Sequence, residues 1–407
     1  VKFIIAPDSF KNCMTAREAA EAIRSGLAVV FPDAEYDMVP MADGGEGTVQ
    51  ALVDATGGTL RQATVLDPLQ RPVLATYGLL GAGVNNAGQA EQGGRDDGSV
   101  PTAADKAEAG LTAVIEMAAA SGIGFVDEAT ENPLAATTYG TGQLIRAALD
   151  DGAERIIIGI GGSATNDGGA GMAEALGVRF LDDQGTAIKR GGGALSKLST
   201  IDTAGLDPRL KTTEILIASD VDNPLTGPHG ASAVFGPQKG ATPAMVGQLD
   251  KALVHYAALI KDQLGCDVAR IPGAGAAGGL GAGLLAFTNA RMQSGVEIVA
   301  QTVHLASRAA HADYCITGEG GIDAQTQYGK TPMGVAQTVR QGNPHIGVIA
   351  LAGYVGSGIS PLYDLGIDAI FGIAPGATTL AQALADGPRN LARAAENVAR
   401  LIALSQR

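Results

Sequence analysis

Cysteine is scarce: Cys13, Cys266 and Cys315 are odd in number, widely separated and form no CxxC pair. That excludes a disulfide framework and a zinc ribbon and fits a reducing compartment. The five histidines form no HxH or HxxxH pair, which excludes a histidine-based metal site but leaves oxygen ligands for Mg²⁺. No window approaches ~18 uninterrupted apolar residues, so no membrane span is expected. The opening residues Val1–Ala6 run directly into a strand pattern without a charged leader. The expected location is therefore cytoplasmic. Positive charge is in deficit, 28 Lys and Arg against 42 Asp and Glu, a net −14. This argues against nucleic acid, though local lysines, main-chain N–H groups and Mg²⁺ can still bind a small anion. Tryptophan is absent.

Glycine, by contrast, is abundant, with 58 residues among 407, which points to many tight loops and close backbone approaches. The length predicts two lobes. Short β-branched runs alternate with helical patterns, so the class is α/β with parallel sheets. Strand patterns at 3–6, 35–39, 313–316, 346–350 and 369–373 predict one discontinuous, doubly wound, flavodoxin- or Rossmann-like domain over 1–60 and 290–407. Strand patterns at 63–66, 113–116, 155–160 and 214–218 predict a second α/β domain over 61–289, with a cleft between the two. Thr15 and Glu18 form a capping box before a helix over 15–30. The polar, Gly-rich segment 81–110 is expected to be an exposed, mobile insert without chemistry.

The candidate chemistry lies on loops that follow strands, where doubly wound sheets bind ligands. After the first strand, Asp8, Ser9 and Lys11 combine a carboxylate, a hydroxyl and a cation. After the second, Asp43 and Glu46 flank a glycine pair. The buried run 156–160 empties into Gly161, Gly162, Ser163, Thr165, Asn166 and Asp167, a dense polar set suited to phosphate. Asp220 follows another strand and is a candidate general base, and Lys239 is a candidate partner for carboxylate or phosphate. Gly275 and Glu319 belong to two further glycine-rich loops.

Three look-alikes surround these loops. Residues 159–164 fit GxGxxA, and Asp182 lies about 20 residues on, which keeps a nicotinamide-dependent oxidoreductase open. Residues 273–278 match GxGxxG without a clear strand before them. Tyr328–Thr331 resembles a P-loop end, but Ala324 stands where the pattern needs glycine.

Taken in order, Ala6–Lys11 (APDSFK), Ala42–Thr48 (ADGGEGT), Glu116–Gly122 (EMAAASG), Gly159–Gly171 (GIGGSATNDGGAG), Asp220–Pro224 (DVDNP), Phe235–Ala241 (FGPQKGA), Pro272–Gly279 (PGAGAAGG) and Thr317–Gly320 (TGEG) resemble the bacterial glycerate kinases that form 2-phosphoglycerate. The resemblance implies two α/β domains around a cleft, ATP with Mg²⁺, and D-glycerate as acceptor. On that basis Gly161–Asp167, Asp8, Ser9, Gly275 and Glu319 are expected to bind nucleotide phosphates or substrate. Asp43 and Glu46 are expected to hold Mg²⁺, Asp220 to take the C2 hydroxyl proton, and Lys11 and Lys239 to hold carboxylate and phosphoryl group. Lobe closure would exclude water. The partners expected are small molecules, with neither nucleic acid nor membrane, and a monomer or homodimer. The family's last motif reads TGEGR, whereas Gly321 stands in the place of the arginine; Lys330 is the candidate replacement cation. The segment 81–110 is also longer than the family pattern. A kinase for another small hydroxy acid, and a catalytically silent nucleotide sensor, are the remaining alternatives.

Overall fold

The computed structural model describes residues 1–81 and 110–406, so the expected mobile insert lies almost wholly outside the described residues. In chain order the strands are β1 (Lys2–Pro7), β2 (Glu35–Met38), β3 (Thr59–Leu66), β4 (Pro72–Leu79), β5 (Leu111–Glu116), β6 (Ala153–Gly159), β7 (Arg179–Leu181), β8 (Thr200–Asp202), β9 (Glu214–Ala218), β10 (Ala290–Gln293), β11 (Tyr314–Ile322), β12 (Gly347–Val355) and β13 (Ala369–Gly372).

One sheet is wholly parallel in the order β13-β12-β11-β1-β2. Counted within the sheet this is 2-1-3-4-5, the flavodoxin-like order, and its reversal falls between β1 and β11. The second sheet runs β10-β9-β6-β5-β4-β3, parallel from β10 to β5 and antiparallel beyond. β7 and β8 form a separate antiparallel pair. The strands of the expected discontinuous lobe therefore share one sheet. Residue 61 falls inside β3, and β10 pairs with β9, so the chain returns to the first sheet only after Gln293.

Alternation along the strands explains the layering. In β1, Phe3 and Ile5 face the helices Ala16–Ala28 and Gly387–Ser405, and Ile4 and Ala6 face the opposite way. In β6, Ile156 and Ile158 face one core while Ile157 faces another, and β9 repeats this with Ile215, Ile217 and Leu216. Ile4, Ala6, Val114, Ile157 and Leu216 belong to one continuous cluster, filled by Val49, Leu52, Val296, Val299 and Val335 from three helices. A layer of helices is thus shared between the two sheets. Thr15 caps its helix with Glu18 as the sequence predicts. No helix among the described residues is long and apolar enough to cross a membrane.

Candidate active site

The loop after β1 meets the end of β11 at the reversal point of the first sheet. The Asp8 N–H donates to the Gly318 carbonyl at 2.8 Å. The Asp8 carboxylate is buried and accepts from the Ser9 N–H at 2.6 Å and from the Thr331 hydroxyl. Burial, and then the negative charge of Asp43, push its pKa up to about 6 against these hydrogen bonds. Glu319 rises to about 7 for the same leading reason; Lys330 opposes the rise, and Asp8 and Asp43 add to it. Each folded-state value lies above the unfolded one, so stability falls as pH climbs through about 4–6 for Asp8 and about 4.5–7 for Glu319. Glu319→Gln is expected to raise the melting temperature by about 2–4 °C at pH 8, a gain that shrinks toward zero below pH 4.5 in calorimetry.

The loop after β2 crosses to the second sheet. A Cβ on Gly159, at the end of β6, would collide with the Gly44 carbonyl oxygen, so only glycine lets the two loops touch. Asp43 accepts from the Gly45 N–H at 2.9 Å. The helix Thr48–Thr56 begins here without a side-chain cap of its own. Glu116, at the end of β5, supplies one from 67 residues away by accepting from the Val49 N–H at 2.8 Å. Asp220 follows β9 and accepts from the Gly295 N–H at 3.2 Å. Its side chain is open to solvent at the cleft rim, yet partial desolvation raises its pKa, with Asp43 and Glu297 adding to the shift.

The loop after β6 divides in two. Gly161, Gly162 and Ser163 line a cleft of about 800 Å³ together with Lys11, Asp43, Glu46, Asp220 and Lys239. A neighbouring cavity of about 450 Å³ is lined by Asp8, Ser9, Lys11 and Glu46, so Lys11 and Glu46 border both. Thr165, Asn166 and Asp167 do not reach either cavity; all three are fully buried. Asp167 accepts from the Thr138 N–H, the Thr137 and Thr138 hydroxyls and the N–H groups of Gly169 and Gly171, which leaves no lone pair for a ligand. Asn166 donates to the Ser232 hydroxyl at 2.9 Å. Of these three residues expected to bind phosphate, Asp167 is bound to the protein's own groups, while the Thr165 hydroxyl and the Asn166 carbonyl oxygen are buried without a protein partner. At Gly275 a Cβ would collide with the Pro224 carbonyl oxygen, so the close backbone approach there requires glycine. Lys239 is 1 % exposed and donates to the Ser163 hydroxyl at 2.6 Å and the Thr165 carbonyl at 2.7 Å. Burial pushes its pKa down to about 7, opposed by Asp167.

Asp43, Glu46 and Asp220, which line one cleft, match the oxygen chemistry of Mg²⁺, which takes one or two carboxylates and completes its shell with water and phosphate. Asp43 raises the pKa values of Asp8, Asp220 and Glu319, a mutual repulsion that a cation would relieve. Among the described residues no three His, Cys, Asp or Glu side chains form a ready-made cage. The donor set fits a metal that arrives with its phosphates. At Gly321 an added Cβ would meet nothing nearer than Tyr354 at 4.0 Å, so the site has room for a larger side chain. Lys330 lies 3.5 Å from Asp323. Asp182 sits beyond β7, outside both main sheets, where it accepts from the N–H groups of Gln184 and Thr186 within its own turn. That removes the acidic partner the dinucleotide reading needs.

Strand ends from two parallel-rich sheets thus close on one acidic, glycine-walled cleft, the architecture of a two-lobed α/β enzyme that handles a small anionic ligand. The glycerate kinase family model matches residues 3–403, and the chain belongs to that family. It is 50% identical to the glycerate kinase of Halalkalibacterium halodurans over 97% of either chain. It is 46% identical to the glycerate 2-kinase of Escherichia coli over 100% of this chain and 99% of that one. A crystal structure from Salmonella typhimurium, provisionally named glycerate kinase 2, superposes with a TM-score of 0.85 at 47% identity, covering 100% of this chain and 99% of the other.

Proposed function

We propose that this chain transfers the γ-phosphoryl group of ATP to the 2-hydroxyl of D-glycerate, giving 2-phospho-D-glycerate and ADP with Mg²⁺ as cofactor. The observation that carries this reading is the meeting of Lys11, Asp43, Glu46, Gly161–Ser163 and Asp220 on one cleft, in a chain nearly half identical to the glycerate 2-kinase of Escherichia coli. Phosphoryl transfer asks a protein mainly for in-line positioning and charge neutralisation. The Gly161–Gly162 backbone is suited to approach phosphate oxygens. Asp43 and Glu46 would hold Mg²⁺, which when bound neutralises charge on the phosphates. Asp220 takes the proton from the 2-hydroxyl as the oxygen–phosphorus bond forms and the bond to the ADP oxygen breaks. Lys11, exposed where the two cavities adjoin, faces the anionic groups of either ligand.

The test is ADP release coupled to D-glycerate, with and without Mg²⁺, followed by phosphorus NMR of the product. Faster turnover with lactate or tartronate would redirect the reading to another hydroxy acid. Lack of ADP release with any of these acids would overturn it. Gly321→Arg serves as a second check: we expect the melting temperature to stay within about 2 °C, given the open space there, and KM for an anionic substrate to fall. An unchanged KM for both substrates would show that position 321 is remote from the ligands.

A further inference from the structure

Lys239 borders the cleft, yet its ammonium is committed inside the protein. Its two hydrogen bonds, to Ser163 and to the Thr165 carbonyl, grip the loop on both sides of Ala164. Asp167, the charged group whose field reaches the Lys239 nitrogen, is already saturated by five donors from Thr137, Thr138, Gly169 and Gly171. The lysine therefore bonds the loop and not a carboxylate. Burying a lysine nitrogen is costly, so its placement here without a carboxylate partner calls for a role that needs those two bonds.

The surroundings show what is being held. On the far side of the loop, the Ala164 N–H donates to the Ser121 carbonyl at 3.0 Å, and the Gly162 carbonyl accepts from the Ile123 N–H at 2.8 Å. From below, Gly278 takes a left-handed φ of 67° and packs so closely that a Cβ would collide with the Thr165 carbonyl oxygen. Lys239 itself ends a short turn, its N–H donating to the Gly236 carbonyl at 2.9 Å, with Phe235 and Gln238 of the same segment on the cleft wall. The Lys239 nitrogen is thus a side-chain tie between that wall and the glycine loop, next to the Asn166–Ser232 bond deeper in the protein.

We propose that Lys239 is a positioning residue that pins the Gly161–Thr165 backbone to the Phe235–Gly240 segment and so fixes the surface that receives the nucleotide phosphates. It does not touch substrate. The role of this surface rests on the kinase reading; the tie itself does not.

Lys239→Met keeps an unbranched side chain one atom shorter and removes both bonds. We expect at least a tenfold rise in KM for ATP with a smaller than tenfold fall in kcat, since ground-state and transition-state contacts to phosphate are lost together. In the ligand-free protein, amide hydrogen exchange across 159–166 should accelerate at least tenfold while the β11–β12 region is unchanged. Ser163→Ala should give a weaker version of both effects, about threefold in KM, and little more when added to Lys239→Met, because the two side chains act through one bond. A fall in kcat of ~10³-fold with normal exchange would place the ammonium on the transferring phosphoryl group and overturn the proposal, as would additive effects in the double variant. If Lys239→Met does not fold, Ser163→Ala decides alone: normal exchange and normal KM overturn the tie. A wild type that releases no ADP with D-glycerate would sink the kinase reading, while the exchange measurement, made without ligand, would still decide the tie.

Discussion

Asp220→Asn is expected to lower kcat for glycerate phosphorylation by ~10²-fold or more, with KM for ATP within about twofold of wild type. The substitution leaves an oxygen to accept from the Gly295 N–H, so the loop after β9 should hold its shape. What disappears is basicity at the atom proposed to take the hydroxyl proton. Desolvation and the charge of Asp43 raise the pKa of Asp220 above the ordinary carboxylate value, which makes it a stronger base once ionised. The rise also sets the direction of the pH profile: wild-type kcat should fall on the acid side as Asp220 protonates, and that limb should vanish in the variant. Steady-state kinetics across pH 5–9 tests both statements. A kcat near normal would remove Asp220 from the role of base and leave positioning and charge neutralisation as the whole of catalysis.

Asp167→Asn should act on stability and not on chemistry. An amide in place of the carboxylate turns one acceptor into a donor among five groups that can only donate there or are already oriented to do so. Leaving such groups unpaired inside the protein costs about 1–3 kcal/mol each. A loss of about 3–5 kcal/mol corresponds to roughly 4–6 °C in melting temperature for a chain of this length. The folded remainder, assayed well below that temperature, should keep kcat within about threefold of wild type. Calorimetry and kinetics on one preparation separate the outcomes. An unchanged melting temperature with a raised KM for ATP would return Asp167 to the ligand.

Asp167 also marks the limit of what could be read from residues alone. A glycine-rich loop with two hydroxyls, an amide and a carboxylate has the same composition whether those groups face a phosphate or their own backbone. The deciding partners, Thr137 and Thr138, lie about 30 residues away in sequence. Glu116 was missed as a functional tie for the same reason, since the helix start it caps is 67 residues distant. By contrast, β1, β6 and β9 were legible because their apolar residues are dense enough to cover both faces of a parallel sheet. β10 was not, because Arg291 and Gln293 interrupt a four-residue edge strand. β4 opens on Pro72, which the sequence rules associate with an edge or a strand start and which hid the rest of this eight-residue strand. Asp8, Asp43 and Asp220 could be singled out because each lies on a loop that follows a strand, and the fold brings such loops to the two adjoining cavities.

The helices shared by the two sheets bear on motion. Residues of β1, β5, β6 and β9 enter one apolar cluster, so beneath the cleft the halves of this protein are joined by continuous apolar packing. Swinging one half away from the other would expose Ile4, Val114, Ile157 and Leu216 at about 25 cal/mol for each Å² of apolar surface. A wide hinge motion of the kind that shuts many two-lobed enzymes is therefore strongly opposed. Shielding the phosphoryl group from water must fall to short segments at the cleft mouth, around Lys11 and Ile123. The consequence is a nearly constant radius of gyration in solution scattering, with and without both substrates.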